Sequence, residues 1–214
     1  MKFFIDTAKV EDIKKAKALG ILDGVTTNPS LVAATGKSFD DVIKEIVPIV
    51  DGWVNLEVIS TTKDEIIEEA KKLSKIHKNV IVKIPFIPEG VKAVTVLSKE
   101  GIKTNLTLVF SPNQALIGAK AGANYVSPFI GRFYDISYAG MELITQILTI
   151  FRNYSFKTEV IVASVRDPVQ VVEAAIAGAQ NITLPLGVLE KMFKHPLTDS
   201  GLKKFMEDWE KVPK

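Results

Sequence analysis

Cysteine is absent from the 214 residues, and histidine occurs only twice, as His77 and His195. The absence of cysteine excludes disulfides, thiolate metal sites and a cysteine nucleophile. The two histidines lack the spacing of metal ligands, and no glycine-rich dinucleotide fingerprint or Walker loop is present. We therefore expect no metal centre and no nucleotide cofactor.

Long apolar runs and an excess of one charge are also missing. No apolar run approaches ~18 residues, which predicts no membrane span. The N-terminal run reaches Asp6 too early for a signal peptide, so we predict a cytoplasmic protein. The 27 basic and 25 acidic residues leave a net charge of +2, which indicates neither a nucleic-acid nor a membrane partner.

One local pattern recurs along the chain: a helical stretch, a glycine, a short link and a β-prone run. Gly20, Gly101, Gly122 and Gly178 stand where a helix end needs a left-handed residue. Eight alternating units favour a parallel (β/α)8 TIM barrel, with a doubly wound open sheet as the alternative. The predicted strands are Lys2–Asp6, Gly24–Asn28, Val54–Ile59, Val80–Pro85, Ile102–Leu108, Tyr125–Pro128, Glu159–Ala163 and Asn181–Leu184.

Helical patterns fill the gaps, and no linker is visible. We predict one domain over residues 1–214, in which 197–214 form an additional C-terminal helix with apolar residues at helical spacing. The other helices that the pattern marks are Val10–Leu19, Phe39–Val50, Lys63–Ile76 and Ser137–Phe151.

Polar residues recur at the carboxyl ends of the predicted strands. Period-two alternation sets Asn55 and Glu57 opposite three apolar residues, and it sets Lys83 opposite Val80, Val82 and Ile84. In the fifth strand, Leu106 and Leu108 oppose Asn105 and Thr107, and in the first, Phe3 and Ile5 oppose Asp6. The apolar faces are expected to meet the helices, and the polar faces the barrel axis.

Strand-end carboxylates and amides are often helix caps, and an inward lysine can be a purely structural partner. Lys83, however, lies among isoleucine, valine and proline, and a lysine that is neutral attacks a ketone to form an iminium. Burial would favour its neutral form, whereas ionised Asp6 and Glu57 in contact would favour the charged form. We therefore expect the carboxylates to reach Lys83 through water or a hydroxyl.

Only three of the 27 basic residues are arginines, and two of them, Arg132 and Arg166, follow the sixth and seventh strands. The guanidinium group binds phosphate in a bidentate manner. With the hydroxyl of Ser164 and the close backbone approach that Gly131 allows, they predict a phosphate site. Salt bridges at the helix starts are the alternative interpretation.

The sequence resembles the small transaldolases, a branch of the class I aldolase barrels that also contains the fructose-6-phosphate aldolases. The resemblance runs in register through FIDTA, GVTTNPSL, VNLEV, IVKIP, TNLTLVFS, YVSPFIGR and ASVRDP. It implies Lys83 as the Schiff-base lysine, Asp6 as general acid/base, Glu57 and Thr107 as holders of the catalytic water, Asn28, Asn105 and Ser127 as binders of substrate hydroxyls, and Arg132, Ser164 and Arg166 as the phosphate site.

The resemblance further implies transfer of a dihydroxyacetone unit between sugar phosphates, without a cofactor, by a pentamer or decamer. Sedoheptulose 7-phosphate or fructose 6-phosphate would be the donor. The aldolase branch, which releases free dihydroxyacetone, typically has glutamine at the position of Glu57 and tyrosine at that of Phe129, and here both differ. An aldolase and a catalytically silent sugar-phosphate-binding barrel remain alternatives.

Overall fold

Eight parallel strands form a closed barrel in the computed structural model, which describes residues 1–213. Each strand pairs with its neighbours in sequence, and β1 pairs with β8 to complete the circle. The predicted barrel is therefore confirmed, and the open sheet is wrong. The strands are β1 Lys2–Asp6, β2 Gly24–Thr26, β3 Trp53–Glu57, β4 Val80–Pro85, β5 Thr104–Val109, β6 Tyr125–Pro128, β7 Glu159–Val162 and β8 Asn181–Leu184.

Helices connect the strands on the outside of the barrel. They are α1 Val10–Ala18, α2 Pro29–Ala33, α3 Phe39–Ile46, α4 Lys63–Ser74, α5 Pro88–Lys99, α6 Pro112–Lys120, α7 Gly131–Tyr134, α8 Met141–Asn153, α9 Pro168–Ala177, α10 Leu186–Met192 and α11 Pro196–Trp209. The helix predicted over Phe39–Val50 ends early, and a 3-10 turn at Val47–Ile49 follows it. Pro48 has no N–H to continue the α-helical ladder.

Glycines end several of these helices, as the sequence pattern predicts. Gly20, Gly101, Gly122 and Gly178 all have positive φ, from 72° to 88°. Gly178, for example, caps α9 in the left-handed conformation, and its N–H reaches the carbonyls of Ala174 and Ala175. Because these helices end at their glycines, the polypeptide returns to the sheet within a few residues.

Two apolar regions hold the barrel together. The larger lies between the strands and the surrounding helices and includes Val54, Leu56, Val82 and Ile84, all fully buried. The smaller consists of Ile81, Tyr125 and Ile161, with Trp53 packed against it. Because Ile81 and Lys83 alternate with Val80 and Val82, apolar and polar residues share the inward face of β4.

The C-terminal helix α11 carries an apolar face that no described residue covers. Leu202, Phe205, Met206 and Trp209 are each more than half exposed. The predicted amphipathic helix is confirmed over Pro196–Trp209, and Lys214, its last predicted residue, lies outside the described residues. Among residues 1–213, no helix is long and apolar enough to cross a membrane.

Candidate active site

A cavity of about 400 Å³ lies at the carboxyl ends of the strands, where barrel enzymes bind their substrates. Nine of the ten side chains predicted for the site line it: Asp6, Asn28, Glu57, Lys83, Thr107, Ser127, Arg132, Ser164 and Arg166. The tenth, Asn105, is fully buried and does not line the cavity.

Lys83 lies on the floor of this cavity, on β4, with 4% of its surface exposed. Its Nζ donates a hydrogen bond to the carbonyl of Thr27 at 3.0 Å. Glu57 Oε2 lies 2.8 Å from the same nitrogen, although the angles of this contact are not those of a hydrogen bond. The lysine is thus fixed between a carbonyl and a carboxylate.

The expectation that both carboxylates reach Lys83 only through water or a hydroxyl is wrong for Glu57. In the β3–β4 register, Glu57 is the direct partner of Lys83, so the two side chains leave neighbouring strands side by side. Asp6, by contrast, has no oxygen within 4 Å of Nζ in the described chain, and the charge of Lys83 acts on it without direct contact.

Asp6 lies half-buried at the end of β1. Loss of hydration raises the pKa of its carboxyl above the ordinary value of 3.8, while the charge of Lys83 and a hydrogen bond from Thr26 oppose that rise. Because burial is the largest of the three effects, Asp6 keeps a proton to higher pH than a surface aspartate does. A carboxyl with this property can both accept and donate a proton.

Thr107 presents a buried hydroxyl whose oxygen has no hydrogen-bond partner among residues 1–213. It lies within a register shift of β5, between Leu106 and Val109. Leu108 in that shift has a φ of 59°, is 43% exposed and lines the cavity. Its predicted orientation towards the helices is therefore wrong, because a bulge adds a residue and breaks the period-two pattern.

Asn105 belongs to a chain of buried hydrogen bonds beside the cavity. Ser127 Oγ donates to Asn105 Oδ1, and Asn105 Nδ2 donates to Asn55 Oδ1, both at 2.9 Å. Asn55 Nδ2 in turn points to the carbonyl of Val25 at 3.5 Å. These hydrogen bonds fix the orientation of Ser127, which does line the cavity.

The two arginines line the cavity together and converge on Asp135. Arg166 Nη2 donates to Asp135 Oδ2 at 3.1 Å, and Arg132 Nη1 lies 3.9 Å from the same oxygen. Two cations share one carboxylate, so the cluster keeps a net positive charge. Both side chains are at least half exposed, which leaves their donors accessible to an anion.

Gly131 allows this convergence. A Cβ on Gly131 would lie 2.0 Å from the carbonyl oxygen of Ser164 and 2.7 Å from Nε of Arg166. The close approach predicted for Gly131 is therefore confirmed. Ser164 has a φ of 60°, a conformation that residues other than glycine adopt at an energetic cost and that is common at functional sites.

Sequence reasoning missed three hydroxyls that line the cavity, Thr26 on β2, Ser30 on α2 and Thr183 on β8. Thr26 Oγ1 donates to Asp6 Oδ1 at 2.7 Å and lies 2.6 Å from Thr183 Oγ1. Period-two alternation in the last strand sets Thr183 on the same face as the buried Asn181. The rule that identifies Lys83 would therefore also have marked this threonine.

Among the residues that the structure describes, no group of three or more histidine, aspartate or glutamate side chains is placed to hold a metal ion. His195 caps α11, since its Nδ1 accepts a hydrogen bond from the N–H of Leu197. His77 Nδ1 contacts Asn79 Oδ1 at 2.6 Å. Neither histidine lines the cavity.

A buried lysine beside a carboxylate and a pair of arginines line one cavity of the barrel, a combination that suits a phosphorylated carbonyl compound. The profile of the family "Transaldolase/Fructose-6-phosphate aldolase" matches residues 3–214. The chain belongs to this family.

Proteins similar to this chain over its whole length include three named "Probable transaldolase". The protein from Anaeromyxobacter sp. (strain Fw109-5) is 61% identical, and alignment covers all of both chains. That from Aquifex aeolicus is 60% identical over all of this chain and 98% of its own. That from Geotalea uraniireducens is 58% identical, again with all of both chains aligned.

Proposed function

We propose that this chain is a transaldolase that transfers a dihydroxyacetone unit between sugar phosphates through a Schiff base on Lys83. The observation that supports this best is the pairing of a buried lysine with Glu57 at 2.8 Å, in a cavity that ends in two arginines. Sedoheptulose 7-phosphate is the proposed donor and glyceraldehyde 3-phosphate the acceptor. The products are erythrose 4-phosphate and fructose 6-phosphate.

The first step joins the donor ketone to Lys83. The neutral amine adds to the carbonyl carbon, and loss of water from the resulting carbinolamine gives an iminium. Glu57, 2.8 Å from Nζ, takes the proton that the nitrogen releases. The unpartnered hydroxyl of Thr107 and the carboxylate of Glu57 hold the departing water and return it when the iminium is hydrolysed.

The second step breaks a carbon–carbon bond. Asp6 removes the proton from the hydroxyl on the carbon β to the iminium carbon, the bond between the α and β carbons breaks, and its electrons form an enamine on Lys83. The β carbon leaves as the carbonyl of an aldehyde. An acceptor aldehyde then adds to the enamine, and Asp6 returns the proton to the new alkoxide.

Asn28 and Ser127 are proposed to bind the hydroxyls of the sugar. Asn28 Oδ1 accepts the N–H of Leu31 and caps α2, so its Nδ2 is the group that can donate to substrate. Ser127 is oriented by Asn105, and we propose that Asn105 contributes to binding of the substrate hydroxyls through Ser127. The hydroxyls thus meet an amide donor on Asn28 and, because Ser127 gives its one hydrogen to Asn105, an acceptor oxygen on Ser127.

Arg132, Ser164 and Arg166 are proposed to bind the phosphate. A phosphate has more acceptor oxygens than the single carboxylate of Asp135, so it can accept charge-assisted hydrogen bonds from both guanidinium groups. The distance between this cluster and Lys83 then selects sugars by length. The acceptor aldehyde occupies the same cluster after the first product has left.

The competing function is an aldolase that releases free dihydroxyacetone. Glu57 and Phe129, which both line the cavity, differ from the glutamine and tyrosine of the aldolase branch, and this favours the transferase. A catalytically silent binding protein would need no buried lysine.

One assay separates all three functions. The purified chain should convert fructose 6-phosphate and erythrose 4-phosphate into glyceraldehyde 3-phosphate and sedoheptulose 7-phosphate, and Lys83→Met should abolish that conversion. Without an acceptor, little free dihydroxyacetone should form. Rapid release of dihydroxyacetone identifies an aldolase, and binding without either product identifies a silent barrel.

We also propose that the chain forms a pentamer or decamer in the cytoplasm and that α11 packs across subunits. The exposed apolar side chains of α11, among them Phe205 and Trp209, support the assembly. Light scattering should give five or ten times the 23.5 kDa mass of the chain, and Phe205→Ser with Trp209→Ser should lower it. A monomeric mass contradicts this part of the proposal.

A further inference from the structure

Three polar side chains on three neighbouring strands meet at one side of the cavity. Thr26 on β2 and Thr183 on β8 flank β1, which carries Asp6. Thr26, on one side of β1, is the register partner of Asp6. Thr183 lies on β8, at the other side of β1. All three line the cavity, and both threonines are almost completely buried.

The hydrogen bonds among these three side chains have a defined direction. Thr26 has a single hydroxyl hydrogen, and it is donated to Asp6 Oδ1 at 2.7 Å. In the 2.6 Å contact between Thr26 Oγ1 and Thr183 Oγ1, the oxygen of Thr26 must therefore accept. Thr183 donates to Thr26, and Thr26 donates to the carboxylate.

Such a chain acts on the carboxylate more strongly than one isolated hydroxyl does. Hydrogen bonds to an ionised oxygen are short and strong, in keeping with the two distances. A hydroxyl that accepts a bond from a neighbour becomes a better donor, and burial strengthens this effect. Thr183 therefore influences Asp6 without touching it.

We propose that Thr183 is a positioning residue that acts on Asp6 through Thr26, holding the carboxylate in one orientation and stabilising its proton-accepting form. This inference rests on the proposed function, in which Asp6 is the general base that removes the sugar hydroxyl proton. Neither threonine has a role among the residues that the family resemblance assigns.

The same chain of hydrogen bonds can persist after Asp6 has taken up the proton of the sugar hydroxyl. The carboxyl O–H then donates to Thr26, whose own hydrogen turns towards Thr183, and the hydrogen of Thr183 turns into the cavity. Each hydroxyl only rotates, so the proton from the sugar stays on Asp6 until the new alkoxide takes it back. No proton leaves along the chain.

Other charges also act on Asp6, and the test leaves all of them unchanged. Ionised Asp6 is favoured by cations and disfavoured by anions on the surrounding elements. These groups are Lys83 on β4, Glu57 on β3, Arg132 and Arg166 beyond β6 and β7, and Lys9 and Asp12 on the side of α1.

The test removes only the hydroxyl of Thr183. Thr183→Val keeps the branched shape that suits a strand, and Thr183→Ser restores the hydroxyl without the methyl group. Thr104→Val is the matched control, because Thr104 is also a fully buried strand residue but its hydroxyl has no hydrogen-bond partner in the described structure.

Two readouts report on Asp6. The first is the carboxyl carbon signal of Asp6 in 13C-aspartate-labelled protein, identified by its loss in Asp6→Asn and followed against pH. The second is the acidic limb of the pH profile of kcat. Thr183→Val should move both to higher pH by roughly half a unit, Thr183→Ser should return them to the wild-type position, and Thr104→Val should leave them in place.

The inference is wrong if Thr183→Val titrates like the wild type, or if Thr104→Val shifts the titration equally. If Thr183→Val does not fold, Thr183→Ala replaces it with the same expected shift. The carboxyl titration needs no turnover, so a chain with no transaldolase activity refutes the proposed function while the titration still decides the role of Thr183. If the chain is active but the Asp6 titration does not shift in Thr183→Val, only the role of Thr183 is refuted.

Discussion

Glu57 and Lys83 lie opposite each other in the β3–β4 register, and Oε2 of the one is 2.8 Å from Nζ of the other. Both side chains are largely withdrawn from solvent. A carboxylate this close to the amine can accept its proton and can also hold the charge of the iminium that follows. The pair thereby links the fold of the barrel to the Schiff base that we propose.

Glu57→Gln tests the contribution of this carboxylate to turnover. Glutamine keeps the size of the side chain but cannot act as a base at neutral pH, and general acid–base catalysis contributes about 10²–10⁴-fold. We expect transaldolase kcat to fall by about 10²-fold or more, and Glu68→Gln, on the exposed side of α4, to have no effect.

We also expect Glu57→Gln, especially with Phe129→Tyr, to raise the ratio of aldolase to transaldolase activity. An unchanged ratio would show that Glu57 does not set the outcome of the reaction.

Arg132→Ala and Arg166→Ala test the phosphate site. A charge-assisted hydrogen bond contributes about 1.5–3 kcal/mol, so each substitution should raise KM for phosphorylated substrates roughly ten- to hundredfold. KM for unphosphorylated analogues should change little. Arg152→Ala, at the exposed end of α8, is the control. Equal losses on both kinds of substrate would mean that the arginines only pair with Asp135.

Asp6→Asn tests whether burial of this carboxyl destabilises the fold. The pKa of Asp6 is raised in the folded state, mainly by loss of hydration, so ionising it costs more free energy in the folded chain than in the unfolded one. The melting temperature of Asp6→Asn should therefore exceed that of the wild type at pH 7. This difference should shrink as pH falls through the folded pKa towards the ordinary value of 3.8.

Asp64→Asn provides the control for this measurement. Asp64 is 87% exposed, so its substitution should give no gain that grows with pH. A gain for Asp6→Asn that is constant from pH 4 to pH 7 would contradict a cost of ionisation.

The sequence was sufficient to predict the barrel and most of the site for one physical reason. Strand-end polar residues on the inward face converge in a closed barrel, so period-two alternation places Lys83, Glu57 and Asp6 together without knowledge of any contact. Positive φ at Gly178 and its counterparts follows from the same helix–glycine–strand repeat.

What alternation could not predict depends on pairing between strands. The direct contact of Glu57 with Lys83 is a consequence of register, which a single strand does not encode. The bulge at Leu108 shifts the pattern by one residue. Asp135 comes to lie between the arginines at the end of the short helix α7, and no period in the sequence predicts that position.

The central claim is that Lys83 forms the covalent intermediate, and mass spectrometry after borohydride reduction tests it most directly. The chain incubated with fructose 6-phosphate and borohydride should gain the mass of one reduced dihydroxyacetone unit, and peptide mapping should place it on Lys83. Lys83→Met should gain no mass, whereas Lys103→Met, which removes a lysine that stacks on Trp53, should be labelled like the wild type. Labelling of any other lysine, or of none, would contradict the mechanism.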